Sequence, residues 1–295
     1  MNCKDVLNFV EENDVKFIKL AFCDIFGVQK NISINSSQLE SAFLQGVPFD
    51  VAPITGFMNI LESDLFLFPD PSTIKLLPWR PSQGKVARLF CDIKYPDGKP
   101  FEGDVRYLLK TTEKRAKDMG FECFIGSECE FYLFQNDDKG LATNIPADCG
   151  GYMDIAPLDK CENVRREVCL TLEEMDIKPI SSHHEKGPGQ NAIIFESSSP
   201  LNAADNFATF KSVVKTISER NGYTASFMPK PIVDTSGSGL HINLSLNSQD
   251  VNIFENLNKT KDVKAKSFTV GVINKVKEIT AFLNPTTNSY RRFGL

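Results

Sequence analysis

The sequence predicts an α+β chain of two domains, a small β-rich one over residues 1–100 and a larger one over 101–295 with an antiparallel sheet backed by helices. Three observations predict it. Strand-like runs separated by turn residues dominate the first hundred positions. After Phe101-Glu102-Gly103, helix-periodic segments alternate with short β-patterned ones. The length of 295 residues, with 41% hydrophobic and 24% charged residues, is that of a globular chain with room for more than one core.

The elements follow in order. Lys4 to Glu12 carries Val6, Leu7 and Val10 on one helical side. Val15–Phe22 and Val28–Ile34 flank the turn Asp24-Ile25-Phe26-Gly27 and read as a hairpin. A short helix over Gln38–Gln45 stops at Gly46, and further strands fall at Leu65–Phe68, Ile74–Leu77 and Lys85–Ile93 before the turn Tyr95–Gly98. In the second domain Asp104 caps a helix whose Val105, Leu108, Leu109, Thr112 and Ala116 form the expected core face, with Gly120 ending it. Helices over Cys161–Met175, Ala203–Arg220 and Val263–Leu283 follow, with strands at Gln190–Phe195, Ser226–Phe227 and Leu240–Leu246 among them.

A net charge of -5 and the lack of a basic patch argue against a nucleic-acid or anionic-membrane partner. The eight cysteines form no C-x-x-C pair and read as reduced thiols. The mixed-charge start, Met1-Asn2-Cys3-Lys4-Asp5, contains no long apolar run. A soluble cytoplasmic protein is therefore expected, with neither a signal peptide nor a membrane span.

Candidate chemistry concentrates in a few segments. In a strand, Glu128 and Glu130 of Gly126–Phe134 project from one face. Either that face meets solvent at an edge, or a hard cation such as Mg²⁺ or Mn²⁺ sits between the carboxylates. In Leu240–Leu246, His241, Asn243 and Ser245 share one face and the leucines and Ile242 share the other, which is expected in the core. The polar face lines a cavity, or His241 is a structural histidine. Asp234–Gly239 is a glycine-rich turn able to hold a carboxylate or phosphate through backbone N–H groups, although its spacing is neither a P-loop nor a dinucleotide fingerprint. Ser182–Asn191 combines His183, His184, Glu185 and a Gly-Pro-Gly bend, either as a metal-ligand loop or as a polar loop. Arg291 and Arg292 alone read as a solvated pair.

Taken in order, the segments Glu128–Phe134, Gly150–Pro157 (GGYMDIAP), Ser181–Gln190, Phe210–Ile217, Phe227–Pro231, Ser236–Ser245 and Asn284–Arg292 resemble bacterial type I glutamine synthetase. Phe22–Gly27, Glu62–Asp70 and Phe90–Asp104 agree with it, so the resemblance covers essentially the whole chain. It implies an N-terminal β-grasp domain and the first part of a catalytic domain. It also implies ATP-dependent ligation of ammonia to the glutamate γ-carboxylate through γ-glutamyl phosphate. Glu128 and His241 resemble ligands of one metal, and Glu130 and Glu185 ligands of a second, with Mg²⁺ or Mn²⁺ implied at both. Gly237 resembles a backbone contact to glutamate, Phe195 and Ser245 nucleotide-pocket positions, and Arg292 a substrate-binding arginine that favours the charged transition state. Asp50 matches an acid that reaches a neighbouring subunit's site to help deprotonate ammonium, so a homo-oligomer, or co-assembly with a full-length homologue, is implied.

The departures are specific. Ala192 stands where the family carries a further metal-binding glutamate, Ile180 where it has a nucleotide-associated glutamate, and Ile194 where it commonly has a polar or acidic residue. Ser236 stands where many members have Asn, and Asp50-Val51-Ala52-Pro53 replaces an Asp-Gly-Ser-Ser turn. The family's catalytic domain continues beyond the position of Leu295, which implies an incomplete domain here with an exposed sheet edge and uncovered apolar surface. These departures imply that the chain does not work as a ligase by itself. The alternatives are a non-catalytic partner of full-length glutamine synthetase and a related γ-glutamyl-amine ligase.

Overall fold

The computed structural model describes residues 1–54, 56–57, 64–80, 83–255 and 263–293. They fall into two compact units, Met1–Arg115 and Ala116–Leu295. The first contains α1 (Cys3–Glu12), β1 (Val15–Cys23), β2 (Gln29–Asn35), α2 (Leu39–Gln45), β3 (Val47–Asp50), β4 (Asp64–Pro69), β5 (Lys75–Leu76) and β6 (Lys85–Lys94). Asn2 and Asp5 close a capping box at the start of α1. β1 and β2 form the expected antiparallel hairpin, β1 also pairs in parallel with β6, and the sheet order is β2-β1-β6-β4-β3. The apolar faces of these elements meet in one core around Ile18, Leu20, Leu65, Leu67 and Leu89. β3 is a strand that the sequence pattern does not predict. Pro48 sits in it, a residue tolerated because among the described residues β3 pairs on one side only.

α3 (Val105–Asp118) begins at Asp104, whose Oδ1 accepts from the Arg106 N–H at 3.0 Å while its Oδ2 accepts from the Ile93 N–H at 3.0 Å. The expected apolar face of this helix is not its buried one: Leu108 is 53% exposed, and Arg106 is the buried side chain. Charge sets the orientation instead. Arg106 Nη2 lies 2.8 Å from Asp70 Oδ2, and Lys110 Nζ lies 2.6 Å from Asp92 Oδ2.

The second unit is built on β7 (Glu122–Asn136), a strand of 15 residues. It is followed by β8 (Ala142–Pro146), α4 (Glu162–Glu174), β9 (Pro179–His184), β10 (Gln190–Phe195), α5 (Pro200–Arg220), β11 (Tyr223–Ser226), β12 (Leu240–Ser248), β13 (Val251–Asn252), α6 (Val263–Asn274), α7 (Val276–Leu283) and α8 (Thr287–Tyr290). The sheet runs β13-β12-β7-β10-β9, with β8 and β11 on the far part of β7, and every pairing in it is antiparallel. Phe131, Ile193 and Phe195 point to the side where Phe210 of α5 is fully buried.

Three expectations need correction. The Ser182–Glu185 segment, read as part of a loop, is mostly the edge strand β9. The predicted helix over Val263–Leu283 divides at Lys275, after a β-branched stretch (Val270, Val272, Ile273) that disfavours a continuous helix. In β12 the alternation holds, but Leu240, Ile242 and Leu244 are 46%, 50% and 37% exposed, because α5 lies over β7 and β11. Only Leu246 is buried, against Ile253 and Ala265. Among the described residues, β12 before Asn247 pairs with β7 alone, which leaves an open sheet edge.

Candidate metal site on the sheet

Register places the candidate residues. Across β7 and β10, Glu130 faces Ala192 and Glu128 faces Ile194; across β10 and β9, Ala192 faces His183. On the other side His241 of β12 is directly opposite Glu128. Because residues paired across a sheet share a face, Glu128, Glu130, Gln190, Ala192, His183 and His241 all project together. Asn243 and Ser245 continue that face along β12, opposite Gly126 and Phe124.

Glu130 is held firmly. Its Oε2 accepts from Gln190 Nε2 at 2.6 Å and from the Gly239 N–H at 2.8 Å, and its Oε1 lies 3.8 Å from His241 Nε2. A Cβ on Gly239 would stand 2.7 Å from Glu130 Oε1 and 3.0 Å from His241 Nε2, so glycine is what lets the turn approach the carboxylate. Gln190 Nε2 also donates to the Gly237 carbonyl at 3.2 Å. The Tyr132 hydroxyl contacts the Ser236 carbonyl, Thr235 Oγ1 and Gln190 Oε1. The glycine-rich turn and the two-carboxylate strand are therefore one hydrogen-bonded body.

The second group is Glu128, His183 and Glu185, whose ligand atoms lie within 4.8 Å of one another. His183 Nε2 is 2.7 Å from Glu185 Oε1, and both side chains are largely shielded from solvent. This donor set of two carboxylates and an imidazole can hold a divalent cation. The resemblance pairs Glu128 with His241 and Glu130 with Glu185. The structure groups Glu128 with Glu185, while the Glu130 carboxylate approaches His241, whose strand register is with Glu128. Ala192 is fully buried between its partners and offers only a methyl group.

The remaining candidates are spread more widely. Gly237 lies under Arg292, where a Cβ would meet the Pro229 carbonyl oxygen at 2.6 Å and Arg292 Cγ at 2.9 Å, so the turn and the Arg292 side chain are in close contact. α8 is tied to the segment before the turn, with the Lys230 N–H donating to Asn288 Oδ1 at 2.7 Å, and Lys230 Nζ donates in turn to the Thr235 carbonyl. Phe195 is different. Its ring is buried 4.7 Å from that of Phe210, which leaves only its backbone for a ligand. Asp50 ends β3 in the first unit, exposed, its Oδ1 accepting from the Ala52 N–H at 2.9 Å. A cavity of about 450 Å³ between α4 and β9 is lined by Arg165, Arg166, Ser182 and His183, but Glu128, Glu130 and Glu185 do not line it.

The sequence alone gave no role to Gln190 or Tyr132, and held His183 only in a segment read either as a metal-ligand loop or as a polar loop. The spacing rule that paired Glu128 with Glu130 also pairs His183 with Glu185, two residues on, once the segment is read as a strand.

Behind Glu185 lies a buried pair, His184 and Asp148. His184 Nε2 is 2.9 Å from Asp148 Oδ1, and His184 Nδ1 is 2.6 Å from the Glu185 carbonyl oxygen. Burial opposes charge on both. For Asp148 it is outweighed by the His184 bond and by the Lys160 and Gly189 N–H groups, which hold its carboxyl well below the usual range. For His184 the bonds to Asp148 and Glu185 outweigh burial and raise its pKa. The signs define a window. Asp148 contributes stability above the ordinary carboxylate value of about 3.9, lost as pH falls through its lowered pKa. His184 contributes fully below about 6.5, and that share is lost as pH rises through its raised pKa. Asp148→Asn should lower unfolding free energy by about 2 kcal/mol near pH 6 and flatten its acid-side decline, measured by urea titrations from pH 3 to 8. An unchanged acid limb would contradict this assignment.

Two family models match the chain: "Glutamine synthetase, beta-Grasp domain" over residues 14–96 and "Glutamine synthetase, catalytic domain" over 102–294. Glutamine synthetase from Clostridium saccharobutylicum is 47% identical over 291 residues, and that from Methanosarcina mazei 46%. Each alignment takes in 98% of this chain and 66% and 65% of the relative, so the chain spans just under two thirds of their length. Among solved structures, a GmaS/ADP complex superposes with a TM-score of 0.87 at 31% identity, covering 97% of this chain and 66% of that one. A Plasmodium falciparum glutamine synthetase superposes with a TM-score of 0.89 at 25% identity, covering 99% and 63%. Together with the carboxylate-bearing sheet face, these matches show that the chain belongs to the glutamine synthetase family.

Proposed function

We propose that this chain takes part in ATP-dependent ligation of ammonia to the γ-carboxylate of glutamate, through γ-glutamyl phosphate. The observation that carries the reading is the convergence of Glu128, Glu130, Glu185 and His241 on one sheet face beside the Gly237–Gly239 turn. Bound there, Mg²⁺ or Mn²⁺ supplies charge neutralisation for phosphoryl transfer between anions. Glu128 with His241 and Glu130 with Glu185 are the assigned ligand pairs. Gln190 keeps Glu130 turned toward the site and fixes the Gly237 carbonyl. The turn lets substrate approach the backbone at Gly237, and the Arg292 guanidinium binds its negative charge. Ser245 and the Phe195 backbone face the nucleotide. Asp50 serves a neighbouring subunit's site, accepting a proton from ammonium, which makes a homo-oligomer or a mixed assembly with a longer homologue the working form. We place the protein in the cytoplasm, supported by eight free cysteines.

One observation favours a second reading, a non-catalytic subunit of a longer homologue. Ala192 stands where a cation would need a carboxylate. Product assays with ATP, glutamate and ammonia separate the two. Ligation predicts glutamine and phosphate in equal amounts from the chain alone, or a raised rate per longer subunit on mixing with a longer homologue. Stable co-assembly that leaves the homologue's rate per longer subunit unchanged favours the second reading. Phosphate release that ignores glutamate contradicts the ligase proposal.

A further inference from the structure

We infer that His183 is itself a cation ligand in this chain, standing in for the carboxylate missing at Ala192, and that the site therefore prefers a first-row transition ion over Mg²⁺. The inference rests on the ligase reading for the presence of a cation, and on the geometry of this chain for the ligand. Ala192 is directly opposite His183 on one side and Glu130 on the other, so these three side chains stand in a row on one face. A carboxylate at 192 would occupy the ground between them. The methyl group leaves it to the imidazole, whose Nε2 reaches Glu185 Oε1 at 2.7 Å and joins Glu128 within the 4.8 Å cluster.

Two further observations separate this arrangement from an ordinary surface ion pair. The His183 and Glu185 side chains are only 18% and 13% exposed, and the imidazole packs edge-on against Tyr152 with centroids 5.7 Å apart, which fixes the ring. Glu128 and Glu185 also bring two carboxylates together with no lysine or arginine ion-paired to either among the described residues. That concentration of negative charge calls for a cation.

A carboxylate accepts, so the bond to Glu185 puts the imidazole hydrogen on Nε2. Coordination uses the Nε2 lone pair, so the hydrogen resides on Nδ1. An all-oxygen set suits Mg²⁺, whereas adding imidazole favours ions later in the series from Mn²⁺ to Co²⁺ and Zn²⁺. The identity of residue 192 thereby becomes the determinant of metal preference.

The test uses the full chain, with Mn²⁺, Co²⁺ and Mg²⁺ titrated separately and competitively. Wild type should bind Co²⁺ and Mn²⁺ more tightly than Mg²⁺, and His183→Gln should lose about tenfold or more in Co²⁺ affinity with a smaller change for Mg²⁺. Ala192→Glu should raise Mg²⁺ affinity and remove the dependence on His183. In a His241→Gln background, bound Mn²⁺ should still show ¹⁴N coupling by pulsed electron paramagnetic resonance, and adding His183→Gln should abolish it. If Glu128→Gln removes binding while His183→Gln leaves affinity and ¹⁴N coupling intact, the inference is overturned and the metal site stands. Failure of all three ions to bind wild type removes both.

Discussion

Arg165→Met is expected to destabilise the second unit by about 3–5 kcal/mol, the cost of leaving one half of a buried ion pair alone. Arg165 of α4 and Asp159 are 5% and 2% exposed at their side chains, and Arg165 Nη2 lies 2.5 Å from Asp159 Oδ2. The same guanidinium donates through Nη1 to Asn191 Oδ1 at 2.6 Å, and Asn191 Nδ2 donates to the Gly189 carbonyl at 2.9 Å. Arg165 thus braces β10 from the helix side, one residue from both Gln190 and Ala192. Methionine fills part of the volume but leaves the Asp159 charge and the Asn191 oxygen without their donor. Arg165→Lys should recover little, because an ammonium cannot span both acceptors as the planar fork does. Urea unfolding followed at the second unit's transition measures this, and a midpoint within error of wild type would refute it.

Phe210→Ala is expected to cost about 3–5 kcal/mol through lost burial and a residual cavity. The ring is fully buried, with Phe195, Phe227 and Phe131 centroids at 4.7, 5.9 and 6.0 Å. Phe131 lies between Glu130 and Tyr132 and points away from the site. A cavity at Phe210 therefore loosens the strand whose opposite face carries the carboxylates. Thermal unfolding should show a large fall in midpoint, and a change under about 1 kcal/mol would mean the aromatic cluster repacks without a void.

These contacts show how much of the molecule the sequence made legible. The two-residue period of strands puts Glu128 with Glu130, and His241 with Ser245, from the sequence alone, because side-chain alternation survives whatever the strands pack against. Burial did not follow from pattern as reliably. The Leu240, Ile242 and Leu244 face alternates as expected and yet is exposed, since no helix of the described residues lies over it. On α3 the apolar stripe lost to Arg106 and Lys110, whose partners Asp70 and Asp92 are distant in sequence and invisible to any local window. Long-range register also explains His183: its place beside Glu128 depends on β9 and β7 both pairing with β10. The departure at Ala192 was readable in the sequence. What occupies the space beside it was not.

The central claim is that one face of this sheet is a cation site for phosphoryl transfer, and Mn²⁺ titration calorimetry on wild type and Glu128→Gln tests it most directly. Saturable wild-type binding, weakened by about a hundredfold in a Glu128→Gln variant of unchanged secondary structure, is the predicted result. Equal binding by the two proteins, or none by wild type at millimolar Mn²⁺, would contradict the account.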